Sequence, residues 1–168
     1  MNLTDHREPP SADESMEIAA RYLEVGYAVA DSQPDRASDL LEEYFGDDPK
    51  ISSKRLWFFS SVGPVIIAGA MRKLNEGKPT DDVFWGLEID GDEQADPDLL
   101  AAAQSVAAFL NGDHRAGQDV MSAHFDVVAR KSGGEAAHDA MFHMVVEHMK
   151  MLAACINGGA FGDRGEAS

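Results

Sequence analysis

The sequence predicts an all-α fold of six or seven helices, with a C-terminal antiparallel three-helix bundle packed on an N-terminal helical hairpin. Along most of the chain, apolar residues recur at intervals of three and four, which is the helical period. Short turn-forming clusters such as Asn111–Asp113 and Gly133–Gly134 separate these periodic segments. The best strand candidate is the run Val65–Ile67, and its flanks have helical periodicity. These observations favour helices throughout.

The first two helices are predicted to form the N-terminal hairpin. Ser11 and Glu14 have the spacing of a capping box, so a first helix is expected over Ala12–Ala30. A turn follows, and Pro34 suits the start of the next helix, whose apolar pattern extends from Asp35 to Phe45. Apolar residues on two sides of the first helix predict that it packs between neighbours.

The third helix is expected to begin after Ser52 or Ser53 and to extend to Leu74. Pro64 lies inside this pattern and predicts a kink or a division into two shorter helices. The markedly apolar stretch Leu56–Ala70 is shorter than the ~20 residues that a membrane span requires. It is therefore predicted to be a buried core helix.

The second half of the chain begins with a short helical segment, Thr80–Leu87, and an acidic loop, Glu88–Asp98. Three helices should then follow, over Leu99–Leu110, from a cap at Asp113 to about Lys131, and over Glu135–Asn157. The short turns between them predict antiparallel neighbours. Residues 11–157 are thus expected to form a single domain, flanked by disordered tails at 1–10 and 158–168.

The two halves share a faint resemblance. Arg36-Ala37 and Arg115-Ala116 each follow a turn and open a helix that contains aromatic residues. This indicates two helical hairpins of similar design, although the match is too short to establish a repeat.

Composition limits the function. The 168 residues include 30 acidic and 14 basic side chains, for a formal net charge of −16. Such a charge repels nucleic acid and anionic membranes and favours a basic protein as partner, with self-association left open. The single cysteine, Cys155, cannot form an intramolecular disulfide and is predicted to be a buried apolar residue. The polar N-terminus lacks a secretory pattern, so a cytoplasmic location is expected.

One helical face could supply metal ligands. Asp139, His143 and Glu147 lie at i, i+4 and i+8, a spacing that places two carboxylates and an imidazole on the same side of the last helix. The same face continues through Glu135 and Lys150, which is typical of a solvated helix surface. We therefore expect a surface stripe, with a metal site as the alternative.

No catalytic or cofactor-binding motif is present, so neither catalytic residues nor a cofactor are predicted. The leading hypothesis is a non-enzymatic acidic helical protein that acts through protein–protein contacts as an interaction or scaffold module. One alternative is a small helical metal-binding protein or enzyme using Asp139, His143 and Glu147. Another is an acidic mimic of nucleic acid that occupies a basic site on a DNA-binding protein. The residues expected to contact a partner are the acidic ones of the loop: Glu88, Asp90, Asp92, Glu93, Asp96 and Asp98.

Overall fold

The computed structural model describes residues 10–76 and 96–162, and helices account for 85% of these residues. The predicted all-α class is confirmed, and no strand occurs within those two ranges. The six helices are α1 (Ala12–Ala30), α2 (Pro34–Phe45), α3 (Pro49–Leu74), α4 (Pro97–Leu110), α5 (His114–Ser132) and α6 (Gly134–Asn157). The predicted short helix Thr80–Leu87 lies outside the described residues.

Far-ultraviolet circular dichroism provides a direct solution test of this helix content. The spectrum should correspond to more than ~50% helix, compared with ~30–35% for an average globular protein. The 222 nm minimum should disappear in a single cooperative transition on heating, as expected for one small domain. A spectrum dominated by strand would contradict the fold.

Local capping explains where several helices begin. The Ser11 hydroxyl oxygen accepts from the Glu14 backbone N–H at 3.2 Å, and Ser11 N–H donates to Glu14 Oε2 at 2.8 Å. This is the predicted capping box, and α1 has the predicted bounds. At the start of α5, the Asp113 carboxylate accepts from the Ala116 backbone N–H at 2.9 Å. These contacts satisfy N–H groups that the helices leave unpaired.

The predicted division of the third helix at Pro64 is wrong. α3 is one helix from Pro49 to Leu74, and it begins three residues before the predicted cap at Ser52. Proline in a helix interior costs about 3 kcal/mol because it removes an N–H and crowds the preceding turn. α3 packs on all five other helices, and burial of side chains such as Leu56, Phe59 and Ile67 offsets this cost.

The sequence places Leu100, Ala103, Ala107 and Leu110 on one apolar stripe of α4, and the buried surface differs from that prediction. Leu100, predicted to be buried, is 41% exposed, whereas Ala102, Val106 and Phe109 lie in the core. α4 contacts α3, α5 and α6, so small residues on several of its sides are covered. A helix with three neighbours does not bury a single stripe, and that is why the one-face interpretation failed.

The helices pack in a pattern that repeats between the two halves of the chain. In the first half α1, α2 and α3 contact one another, and α4, α5 and α6 do so in the second. The two halves also contact each other, because α1 packs on α6 and α4 packs on α3. α3 and α6 pack on each other at the centre. The C-terminal three-helix bundle is therefore present, and its partner is a corresponding three-helix unit rather than a hairpin alone.

The turns of the two hairpins are also alike. In each turn, the backbone N–H of the first residue after the helix donates to the carbonyl four positions earlier. The N–H of the third residue donates to the carbonyl five positions earlier. The middle residue has positive φ, 57° at Ser32 and 79° at Gly112. When the turns are aligned, Arg36-Ala37 and Arg115-Ala116 are one residue out of register. The hairpins thus match in their turns and not in the pair of residues that first indicated the resemblance.

The described chain stays packed beyond the predicted domain end at 157. Ala160 is buried, and the Phe161 ring lies 6.2 Å from that of Tyr27 in α1. The segment 158–162 therefore belongs to the domain rather than to the expected C-terminal tail. Among the helices of residues 10–76 and 96–162, none has the length and hydropathy needed to cross a membrane.

Candidate functional site

The three candidate metal ligands of α6 have separate contacts. Asp139 and His143 are exposed, and Glu147 Oε1 accepts from Lys150 Nζ at 2.6 Å. His143 Nδ1 instead lies 3.3 Å from Asp98 Oδ2, at the start of α4. Throughout residues 10–76 and 96–162, no three His, Cys, Asp or Glu side chains are arranged to hold a metal ion. This face has the polar, largely solvated character that the sequence predicts.

A carboxylate lies between two imidazoles at the start of α4. Asp98 Oδ1 accepts from His124 Nε2 at 2.6 Å, and its other oxygen accepts from His143 Nδ1. The three side chains come from α4, α5 and α6, and they border an open cavity of about 310 Å³ that Asp139 and Val128 also line. We refer to Asp98, His124 and His143 as the His–Asp–His cluster.

The His–Asp–His cluster links three helices. Asp98 is only 16% exposed in its side chain, although the acidic loop to which it belongs is expected to be solvated. No serine, threonine, cysteine or lysine is among the described residues that line the cavity. The arrangement is that of a hydrogen-bonded network that holds the start of α4 against α5 and α6.

The remaining acidic candidates for partner contact have different positions. Asp96 is exposed and caps α4, since its carboxylate accepts from the Asp98 backbone N–H at 2.8 Å. The other four, Glu88, Asp90, Asp92 and Glu93, lie outside the described residues. Partner contact by this segment stays a prediction.

His148 is a buried histidine at the centre of the fold. It lies on α6 with no exposed surface, and its Nε2 is 3.2 Å from the Ser105 hydroxyl of α4. The Ser105 hydroxyl in turn donates to the Ala102 carbonyl at 2.7 Å. Burial lowers the pKa of His148 to about 4, opposed in part by a hydrogen bond to the Ala102 backbone. In the sequence, His148 falls on the apolar stripe of α6, a position that predicts a hydrogen-bonded core or edge residue, and the structure places it in the core.

An apolar groove follows the outer side of α3. It has a volume of about 530 Å³, and α1 and α5 form its two walls. Its floor consists of side chains from successive turns of α3: Trp57, Phe58, Ser61, Val62, Val65 and Ile66. Val65 is 48% exposed, although it lies in the most apolar segment of the chain. The Ser61 hydroxyl on this floor donates to the Trp57 carbonyl at 2.8 Å, so its proton is already hydrogen-bonded within α3.

One end of this α3 groove is charged. An adjoining cavity of about 280 Å³ shares Pro10 and Phe58 with the groove and is bordered by Glu14, Glu17, Lys54 and Arg55. The Lys54 ammonium lies 5.5 Å from the centre of the Phe58 ring. The Arg55 guanidinium is already hydrogen-bonded within the fold, because it donates to the Tyr44 carbonyl. Glu14 is also engaged, because its Oε2 accepts from the Ser11 backbone N–H at 2.8 Å in the capping box of α1.

The sequence did not predict the groove. Its apolar floor was assigned to the core, because periodicity cannot distinguish a covered face from one that two neighbouring helices leave open. The signal that was present is the markedly apolar character of Leu56–Ala70, which exceeds what burial on one side requires.

Comparisons of the chain with protein-family models, with curated proteins and with solved structures found no match.

Proposed function

We propose that this protein is a non-enzymatic interaction module whose α3 groove binds an amphipathic helix of a basic partner protein. The observation that supports this most directly is the half-exposed apolar floor of the groove, centred on Val65. Contiguous exposed apolar surface between polar walls is typical of protein-binding sites.

The shape of the groove suits a helix. It follows one helix and lies between two others, so a further helix laid along it would meet neighbours on three sides. Floor residues recur at helical spacing, as in Phe58, Val62 and Val65, which offers anchor points for apolar residues at i, i+3 and i+4 of a partner. At Gly69, a turn beyond Val65, the space that a side chain would take is open.

The charge distribution favours a basic helix as the ligand of the groove. The net charge of −16 attracts a cationic partner and opposes the approach of a second copy of the same chain. Locally, Glu14 and Glu17 border the cavity at one end, and the largely exposed Asp119 lies on the α5 wall. Lys54 and Arg55 lie at the same end as the glutamates, but Arg55 is already bonded to α2. A basic helix with one apolar face fits this combination.

A peptide titration tests the proposal. The probe is an amphipathic helix of about 18 residues built from leucine and lysine, with a leucine–glutamate peptide of the same pattern as control. Trp57 lies in the groove, so the Trp85→Phe variant isolates its fluorescence as the reporter. We expect saturable binding of the basic peptide, weakened by salt, and no binding of the acidic one.

Matched substitutions locate the binding site. Val65→Gln should weaken binding about tenfold, because one half-exposed valine loses its apolar contact with the peptide. Val127→Gln changes a valine of α5 that is 39% exposed, against 48% for Val65, and does not line the groove; it should leave affinity unchanged. Equal effects of the two substitutions would contradict the proposed site. Sedimentation that detects a dimer dissociated by Val65→Gln would assign the groove to a second copy and overturn the basic partner.

A further inference from the structure

Two buried polar atoms from different helices lie close together with no hydrogen-bond partner. They are the Tyr22 hydroxyl oxygen of α1 and Nδ1 of His148 in α6, and both residues are fully buried. Neither atom bonds to any group in the described part of the chain. Buried polar atoms are nearly always satisfied, so each of these requires an explanation.

The two atoms converge at a glycine. A Cβ placed on Gly63 of α3 would lie 2.4 Å from the Tyr22 hydroxyl oxygen and 3.0 Å from His148 Nδ1. The atoms therefore face one point, and they make no hydrogen bond to each other. A side chain at position 63 would displace both atoms, which explains the glycine. A water molecule beside Gly63 that bridges the two groups would satisfy both of them.

Hydrogen-bond chemistry determines what each atom requires. The Ser105 hydroxyl uses its only proton on the Ala102 carbonyl, so it accepts from His148, whose Nε2 must carry the proton. In the neutral imidazole, Nδ1 is then an acceptor in need of a donor. The buried Tyr22 hydroxyl has one proton to donate and also needs a partner.

We propose that one internal water molecule is bound between α1, α3 and α6, accepting from the Tyr22 hydroxyl and donating to His148 Nδ1. The site takes a small neutral molecule that is both donor and acceptor, which excludes ions and apolar gases. It completes a hydrogen-bonded chain from Tyr22 through the water to His148, Ser105 and the Ala102 carbonyl. This chain crosses the domain from α1 to α4.

Magnetic relaxation dispersion of water deuterons tests the site, because it counts water molecules held in the folded protein for longer than the tumbling time. The Tyr22→Phe variant should hold one fewer than the parent protein, since the bridging water loses a partner. Tyr44→Phe removes the hydroxyl of another core tyrosine and should leave the number unchanged. An equal number in the parent and in Tyr22→Phe would overturn the proposal.

A second measurement on the unsubstituted protein does not depend on how the variants fold. Nuclear Overhauser transfer from water to the Tyr22 hydroxyl proton, with the His148 nitrogen shifts of an Nε2–H tautomer, is the expected result. A scalar coupling across a direct hydrogen bond from Tyr22 to His148 Nδ1 would overturn the water site and replace it with a direct contact. The Nδ1–H tautomer would overturn it as well.

Discussion

Replacing Leu152 with alanine should lower the free energy of unfolding by about 2–5 kcal/mol. Leu152 is fully buried in α6, and its side chain packs directly on the backbone of α1 at Gly26. Truncation removes apolar contacts and leaves a cavity that two rigid helices cannot close. Urea denaturation followed by circular dichroism measures the change, provided that the dependence on denaturant stays constant.

The contact between Leu152 and Gly26 makes this prediction more specific. A Cβ on Gly26 would lie 2.4 Å from Leu152 Cδ2, so Gly26→Ala should destabilise the parent protein. In the Leu152→Ala background the same substitution should be neutral or stabilising, because the clash is gone and alanine favours helix. His143→Ala removes one 3.3 Å contact with Asp98 from a side chain that is 67% exposed, so it should change stability by no more than about 0.5 kcal/mol. Simple additivity of Gly26→Ala and Leu152→Ala would contradict this packing.

Acidification should destabilise the protein through His148. Burial lowers the pKa of this imidazole to about 4 in the folded protein, against an ordinary value of 6.5. Between these values the unfolded chain binds the proton and the folded protein does not, so stability falls as pH falls. The contribution is fully present above pH 6.5 and is lost by about pH 4. A pKa difference of this size corresponds to roughly 3 kcal/mol.

A His148→Gln variant isolates this effect from that of the carboxylates, which titrate in an overlapping range. Glutamine retains a polar group that can meet Ser105 but does not titrate. Unfolding free energies measured from pH 7 to pH 4 should therefore fall less steeply for the variant than for the parent protein. Parallel pH profiles would show that His148 takes up its proton without cost and would contradict its buried, neutral state.

The helices could be predicted from the sequence because their signals are local. The capping box at Ser11, the proline at position 34 and the cap at Asp113 each act within a few residues, and the helices begin at or beside them. Errors arose where neighbours distant in sequence decide the outcome. α3 continues through Pro64 because other helices surround it, and Leu100 is exposed because α4 packs on its other sides.

Site residues were harder to predict for the same reason. The polar face of α6 was predicted correctly, since a helical face follows from spacing alone. The pairing of Asp98 with His124 and His143 joins three helices across 26 and 45 positions of sequence, and no local pattern encodes it. Gly63 could have predicted a close contact in the core. A glycine inside an apolar helix is unfavourable by itself and therefore indicates a close approach, here of Tyr22.

Because each half of the chain packs on the other, the order in which the helices are synthesised limits when the domain can fold. α1 and α3 are synthesised before α6, yet both pack on it. Until that segment has left the ribosome, the early helices lack the surface that buries residues such as Tyr22 and Phe59. Domains rich in contacts between distant segments fold only after those segments meet. We therefore expect nascent chains that stop before α6 to remain sensitive to protease, with protection gained in a single step once the last helix is complete.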